Sequence, residues 1–526
     1  MNPAIIITNV ILLFIILKRV LTYLHPLQQD HYHPGRFCLW LFSKRAFDHY
    51  MTMTLLCASA LNALGLIQAW QPIFFGLVQF TTWIVLLTLA LREPSPIHQA
   101  KKKLVMTARA KRIYWATIVL CTPLLCLNQN DLTMILSIQA LPFILIIGWL
   151  VTAPVEYFIQ RNLLNKAKHR LQTINPIIIG ITGSYGKTSI KHILHHILSK
   201  HKPCIMTPGS VNTPMGICRI INQQLAESHE CFIVEMGAYK RGSINHLCNL
   251  TPPHLGIITS IGPCHLERFG SIENIAIAKA ELLDAICQQQ NPLGFTFPDQ
   301  LKSYPNFAKH ADHESYIKPI TLKKVTQNHD GIAVECTHND KTYTLKAPIF
   351  GLHQGDNIVL AATIASQLGM PMEIIQSALR SLPQVKARLE VKQDKHNVTW
   401  INDGFNANPS GFKQGIHLLT QFGANKKGRT IIVTPGVTEL GSTHDQVHET
   451  LAKYVIEKTD IIIAIASERI QSFISTCNQY KTPSQVVMQV ATFKEANAWL
   501  KEHLQPNDTI LLANDLPDVL ESKINI

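Results

Sequence analysis

Five stretches within the first 155 residues are each long and apolar enough to cross a bilayer, and they constrain every other reading of the chain. A hydrocarbon core needs about 20 consecutive, mostly apolar residues in helical form. The stretches run roughly over 4–24, 51–69, 73–91, 113–130 and 132–154. The first holds Lys18 and Arg19 near its end, where long basic side chains can snorkel. These charges follow the apolar run instead of leading it, the reverse of a secretory signal.

The connecting segments set an orientation. Arg36, Lys44 and Arg45 lie between the first two stretches; Arg92, Lys101, Lys102, Lys103, Arg109, Lys111 and Arg112 lie between the third and fourth. Arg161, Lys166, Lys168 and Arg170 follow the fifth, whereas the turns near Gln71 and Asn128 carry no Lys or Arg. Basic loops stay on the cytoplasmic side. The expectation is an outside N-terminus, five spans, and a cytoplasmic chain after about residue 155. The net charge of +13 is then mostly a matter of membrane orientation, not nucleic-acid binding. Twelve cysteines without a CxxC pair argue against a zinc ribbon or disulfide framework and suit a reducing cytosol.

Beyond residue 155 the chain reads as an ordinary α/β protein. NPIIIGIT is a short β-branched run, GSYGKTS is rich in glycine and small residues, and IKHILHHILSK has apolar residues at helical spacing. Strand, glycine-rich loop and helix are the context of a phosphate-binding loop. Gly183, Ser184 and Gly186 would let backbone N–H groups approach phosphate oxygens, and the helix N-terminus adds partial positive charge. Lys187 would reach the β- and γ-phosphates, and Thr188 or Ser189 would face Mg2+. The spacing departs from GxxxxGK[ST], because Ile181 stands at the first glycine. His192, His195 and His196 on the following helix read as helix-surface residues rather than metal ligands.

TPGSVNTPMGICRIIN, FIVEMGAYKRGSINHL, TSIGPCHLERFGSIENIAIAKAELL and GLHQGDNIVLAATIASQLGM then follow in order. With these segments, residues 174–526 resemble the Mur ligase family, and within it the branch that adds D-alanyl-D-alanine. The resemblance implies an ATP-dependent ligase that activates a carboxylate as an acyl phosphate for attack by an amine, on a peptidoglycan precursor. It implies that Glu235 ligates Mg2+, that His265 belongs to a second metal position, and that Lys279 matches a lysine carbamylated in many members. Lys187, His265 and Lys279 would thus serve catalysis, with Thr188 among the metal residues. Asn357 matches a residue near adenine, with Gln354 in place of the usual Asn. Arg388 in ARLEV matches a hinge arginine. Asp403 and Asn406 in WINDGFNANPSG match residues near the nucleotide, with Gly404 and Phe405 replacing Ser and Tyr. DTILLANDLPDVL stands where the family carries a Lys-Gly-Ser-Arg-like loop, so Asn514 and Asp515 replace basic residues.

The expected fold is a transmembrane helix bundle over 1–156, a linker over 157–173, a P-loop α/β domain over 174–387 and a Rossmann-like domain over 388–526. The expected partners are ATP, Mg2+, a peptidoglycan-precursor-like acceptor, an amino acid or dipeptide donor and membrane lipid, with no nucleic acid. The location would be the bacterial inner membrane. A poly-γ-glutamate-synthase-like ligase and a catalytically weak scaffold of wall synthesis are the alternatives.

Overall fold

A computed structural model describes the chain except residues 1–2, 44–45, 65–70, 99–102, 129, 264–265, 289–292, 296–303, 306–319, 406–407, 427, 439 and 515–526. Two compact units result, the first formed by Met1–Gln160 and the second by Arg161–Asp515.

The first unit holds helices α1 (Pro3–Gln29), α2 (Pro34–Ser43), α3 (Tyr50–Leu64), α4 (Gln71–Arg92), α5 (Ala108–Leu127) and the start of α6 (Asp131–Ile174). Four of these, α1, α4, α5 and α6, are long and apolar enough to cross a membrane. The remaining expected span, 51–69, coincides with α3, which covers 15 residues; 65–69 lie outside the described residues. Leucine, isoleucine and aromatic side chains pack the interior, yet Val10, Leu39, Phe80, Val119 and Leu150 point outward. Helices apolar on both faces need an apolar surrounding.

One polar knot is buried in this apolar bundle. Arg19 pairs with Asp48 at 2.8 Å and with Glu93 at 3.3 Å. Lys18 Nζ donates to the carbonyls of Ala90 and Glu93 and so caps the end of α4. Thr22 donates to Glu93, and Thr52 N–H donates to Asp48. Together these contacts join α1 to the segment before α3 and to the end of α4.

The expected linker 157–173 is helix throughout, because α6 runs unbroken to Ile174. At 1.5 Å per residue its 44 residues extend about 66 Å, more than twice a hydrocarbon core. Ala167 and Leu171 are buried in the second unit's core, and Arg170 donates to Leu225 O.

The second unit begins with a parallel sheet of order β2-β3-β1-β4-β5. Its strands are β1 (Ile177–Thr182), β2 (Cys204–Met206), β3 (Cys231–Glu235), β4 (Leu255–Ile258) and β5 (Leu293–Phe295). Helices α7 (Lys187–Leu198), α8 (Pro214–Gln223), α9 (Ser243–Leu250), α10 (Leu266–Phe269) and α11 (Ile272–Ile286) connect them. β1 and β3 are almost continuously apolar because both faces are covered. α7 buries Ile190, Ile193, Leu194 and Ile197, the i, i+3, i+4, i+7 stripe of an amphipathic helix. An antiparallel sheet of β6 (Thr321–Asn328), β7 (Gly331–His338) and β8 (Lys341–Ala347) packs into the same core as α12 (Gln354–Gln367) and α13 (Met372–Arg380).

A second sheet follows, in the order β13-β12-β11-β14-β10-β9. It comprises β9 (Glu390–Gln393), β10 (Thr399–Asp403), β11 (Thr430–Thr434), β12 (Ile461–Ile465), β13 (Val486–Val490) and β14 (Thr509–Ala513). Only β9 runs antiparallel to its neighbour. Helices α14 (Pro409–Lys426), α15 (His444–Ile456), α16 (Gln471–Tyr480) and α17 (Phe493–His503) complete this doubly wound layer.

His448 on α15 is fully buried; its Nε2 accepts from Val437 N–H and its Nδ1 donates to His444 O. Burial, with the His444 and Arg469 charges, pushes it down to about 4 from an ordinary 6.5.

Two predictions follow from these buried groups. Arg19→Ala strands Asp48 and Glu93 in an apolar interior. It should destabilise the bundle by about 3–5 kcal/mol, the scale for halving a buried pair. Lys111→Ala, at an exposed position, should cost within about 0.5 kcal/mol; equal thermal shifts in detergent would refute the knot's role. For His448 the unfolded chain takes up the proton first as pH falls. The contribution is therefore complete above about pH 6.5 and is lost on the way down to about pH 4, some 3 kcal/mol in all. Hydrogen exchange of β11 amides across that window should show the loss, and His448→Gln should flatten it.

Candidate nucleotide and acyl-transfer site

The loop between β1 and α7 carries the site's backbone. Gly183 and Gly186 take φ of +145° and +81°. A Cβ on Gly183 would sit 2.0 Å from Thr259 Oγ1, so no larger residue fits without rearrangement. Ser184 is tied to the loop after β4: its N–H donates to Ser260 O at 2.6 Å and its hydroxyl to Gly262 O at 3.0 Å. Lys187 Nζ lies over the loop and donates to Gly183 O at 2.6 Å.

Side chains from three elements converge below this loop. Thr188 donates to Glu235 Oε2 at 3.0 Å, Lys191 Nζ donates to the same oxygen at 2.9 Å, and Asn212 donates to Oε1 at 3.2 Å. Thr207, one residue past β2, accepts from Glu235 N–H. Lys191 also donates to Gly209 O. Burial pushes the Glu235 carboxyl up, but the Lys191 and Lys187 charges and the two side-chain hydrogen bonds outweigh it, so the group stays below the usual carboxylate range. Burial holds Lys191 below an ordinary lysine, against the pull of Glu235. The sequence reading missed Lys191 because a lysine on an amphipathic helix reads as a solvated residue; its position one turn after Lys187 was the available signal.

The structure turns Thr188 toward Glu235 and Ser189 toward Gln354, whose amide donates to Ser189 Oγ at 3.3 Å. Gln354 Oε1 in turn accepts from Asn357. The Gln that replaces Asn in the family pattern thus bridges the phosphate loop to Asn357.

Two hollows flank the loop. One, of about 190 Å³, is lined by Tyr185, Gly186, Ser189, Gln354 and Asn357 on one side and by Arg388, Asp403, Asn408 and Gln414 on the other. Asp403, at the end of β10, accepts from Leu389 N–H at 3.1 Å. His353 also lines this hollow, and sequence reasoning passed over it. Burial and the Arg388 charge push it down to about 4, so it is neutral at pH 7. The other hollow, of about 30 Å³, brings Lys187, Asn212 and Tyr239 to Lys279, which is buried on α11. His265 and Asn406 lie outside the described residues, as does Asp515. Asn514 closes β14 and donates to Gly436 O at 2.6 Å.

His192, His195 and His196 are half-buried rather than freely exposed. His195 and His196 make contacts to the Cys204 and Ala378 carbonyls. No cluster of three His, Cys, Asp or Glu side chains suited to a metal occurs among the described residues.

A glycine loop opening a helix, a carboxylate at the neighbouring strand's end and a hollow lined on its far side by a second α/β layer define an architecture suited to holding a phosphate group. The Mur ligase middle domain model matches residues 181–365, and the Mur ligase glutamate ligase domain model matches 387–514. Together they cover more than half the chain, and the chain belongs to the Mur ligase family. It is similar to the UDP-N-acetylmuramoyl-tripeptide–D-alanyl-D-alanine ligase of Bacillus subtilis, 28% identical over 291 residues, covering 54% of this chain and 61% of that protein. The Haemophilus influenzae protein of the same name is 25% identical over 308 residues, covering 57% of this chain and 66% of the relative. The chain thus spans under two thirds of the length of these relatives. The fold is shared with the MurF ligase of Thermotoga maritima solved with ADP, at a TM-score of 0.58 and 24% identity, over 69% of this chain and 82% of that one. Neither family model reaches residues 1–180.

The Lys191–Glu235 pair yields a prediction. Lys191→Met or Glu235→Gln alone leaves a buried charge without its partner and should cost about 3–5 kcal/mol, read as faster exchange of β3 amides. The double variant should lose less than the two combined by about 0.5–3 kcal/mol of coupling. Strict additivity would show that the two groups do not depend on each other.

Proposed function

We propose that this chain is a membrane-anchored, ATP-dependent amide ligase that activates an acceptor carboxylate as an acyl phosphate and joins it to an amino acid or dipeptide amine. The observation that carries this reading is the convergence of Thr188, Lys191 and Glu235 beneath the Gly183–Ser189 loop, between the two hollows. ATP would bind in the larger hollow, its adenine toward Asn357 and His353 and its phosphates toward the loop. Arg388 and Asp403, from the second α/β layer, would close on it and exclude water that would hydrolyse the acyl phosphate.

The hard oxygen donors Thr188 and Glu235 suit Mg2+, which takes one or two carboxylates together with phosphate oxygens. When bound there, it would supply positive charge beside the transferring phosphoryl group. Lys187 would leave the loop carbonyls for the phosphate oxygens. The acceptor carboxylate oxygen attacks the γ-phosphorus and ADP departs. The amine then attacks the acyl carbon, and phosphate leaves with the carboxylate's former oxygen as the amine loses a proton. Lys279 beside Lys187 would hold the acceptor's negative charge, or carry a carbamate as a further anionic ligand.

The acceptor and donor classes follow the names of the relatives: a UDP-muramoyl-tripeptide-like peptidoglycan precursor and D-alanyl-D-alanine or a similar amine. The four long apolar helices support a multi-pass location in a bacterial inner membrane with the ligase on the cytoplasmic side, in contact with membrane lipid. An anchor there raises the effective concentration of a lipid-linked acceptor without new contacts.

The test is ATP hydrolysis and amide formation by detergent-purified full-length protein, offered the UDP-linked or lipid-linked muramoyl-tripeptide with and without D-Ala-D-Ala. Turnover should require acceptor and amine, and Lys187→Ala should lower it by about 10²–10³-fold, the scale for removing one preorganised charge-stabilising donor. ATP binding without turnover on either acceptor would move the assignment to another acceptor or to polymer ligation. Undiminished function with Lys187→Ala would favour a scaffold.

A further inference from the structure

Two cysteines that the proposed chemistry does not use stand side by side beneath the site. Cys204 opens β2 and Cys231 opens β3, and the parallel register pairs them directly. β2 is the edge strand of its sheet. Paired residues of neighbouring parallel strands share a face, with the strands about 4.8 Å apart. That separation falls inside the roughly 4.4–6.8 Å Cα range that a disulfide spans. Cys231 is buried at 2% exposure, while Cys204 is half-buried at the sheet edge.

The two thiols are unequal in a useful direction. The neighbouring Cys231 thiol holds Cys204 below the ordinary thiol range, against burial. The Cys204 thiol and burial together push Cys231 above it. Cys204, half-buried at the sheet edge, is the sulfur that a soluble disulfide can reach, and the buried Cys231 opposite it is placed to resolve the mixed disulfide.

The pair also sits at the root of the Glu235 assembly. β3 runs from Cys231 to Glu235, and the segment after β2 supplies Thr207 and Gly209 O, which hold Glu235 N–H and Lys191 Nζ. A covalent link at the start of these strands fixes the spacing on which those contacts depend.

We propose that Cys204 and Cys231 form a reversible regulatory disulfide by exchange with a small disulfide of the glutathione class. The Cys204 thiolate attacks one sulfur of the oxidised small thiol, giving a mixed disulfide and releasing one reduced small thiol. The Cys231 thiolate then attacks Cys204 Sγ and releases the second. One small disulfide is reduced to two thiols, and the protein loses two hydrogens. A disulfide in a reducing compartment is characteristically transient and redox-sensing.

The experiment uses full-length protein in detergent, equilibrated in buffers of increasing oxidised-to-reduced glutathione ratio, alkylated and digested. The peptides of Cys204 and Cys231 should become joined, two hydrogens lighter than their sum, and separate again with dithiothreitol. Fragment spectra must place the link on Cys204 rather than Cys218, which shares its tryptic peptide. Cys231→Ser should trap a glutathione adduct on Cys204, and Cys204→Ser should leave Cys231 unmodified. Alkylation of both as free thiols at every ratio, a persistent adduct in the wild type, or a link to another cysteine would each overturn the proposal. ATP turnover, where the ligase reading holds, should fall severalfold on oxidation, recover on reduction, and become insensitive in Cys204→Ser. Turnover unchanged by a fully formed link would remove the regulatory role. The peptide map decides the disulfide even if the ligase assay is silent.

Discussion

The Glu235 carboxylate and the cations around it are the constraint on which the second unit depends. A buried carboxylate is costly unless its oxygens are paired. Here Thr188 and Lys191 of α7 share one oxygen, and Asn212, on the loop before α8, takes the other. Those bonds fix α7 against the ends of β2 and β3, and α7 in turn fixes the phosphate loop through Gly186. Thr207 holds the backbone of Glu235 itself. The site's precision thus comes from a few short polar contacts set in a core of isoleucine and leucine that has no directional preference of its own.

The sheet order explains why these groups meet. β1 lies at the centre, with β3 and β4 on either side. Parallel strands all end at the same edge, so the loops after β1, β3 and β4 form one rim. Ser184 is bonded to the loop after β4 while Thr188 is bonded to the end of β3, so the phosphate loop is held from both sides. The larger hollow lies on this rim and is completed by Arg388 and Asp403 of the following layer.

The strand, glycine loop and helix over Ile177–Leu198 were legible in the sequence because their signals are local. Glycine at positive φ, lysine and a hydroxyl residue occur within seven positions, flanked by a β-branched run and an amphipathic helix. Glu235 was legible as a carboxylate ending a buried strand. Lys191 and His353 were not, since nothing in their neighbours distinguishes a buried charged lysine from a solvated one, or a neutral cleft histidine from a surface one. Their environment is made by residues that are distant in sequence. His195 and His196 of α7, expected on the helix surface, are half-buried and contact the Cys204 and Ala378 carbonyls, the latter 182 residues from His196. The stretch 157–173 was expected as a linker because its charges break the apolar run. Charge ends a membrane span without ending a helix, and α6 continues through it. Gln354 looked like a lost contact, yet its longer side chain reaches both Ser189 and Asn357.

Both units bury cations, and the difference in their charge balance separates scaffold from site. In the helix bundle, Arg19 and Lys18 face Asp48 and Glu93, and Lys18 is also spent on carbonyls at the end of α4. That cluster is neutral, and an anion entering it would have to displace a carboxylate. In the second unit, Lys187 and Lys191 weigh on a single carboxylate, Glu235, with Arg388 close enough to lower Lys191 further. The surplus is positive, within a low-dielectric pocket where charge acts strongly. Only such an unbalanced cluster can gain by receiving a polyanion. An α-helix N-terminus and the loop's N–H groups add to the same sign. The bundle's charges balance one another, whereas the surplus beneath the glycine loop is one that a bound anion would balance.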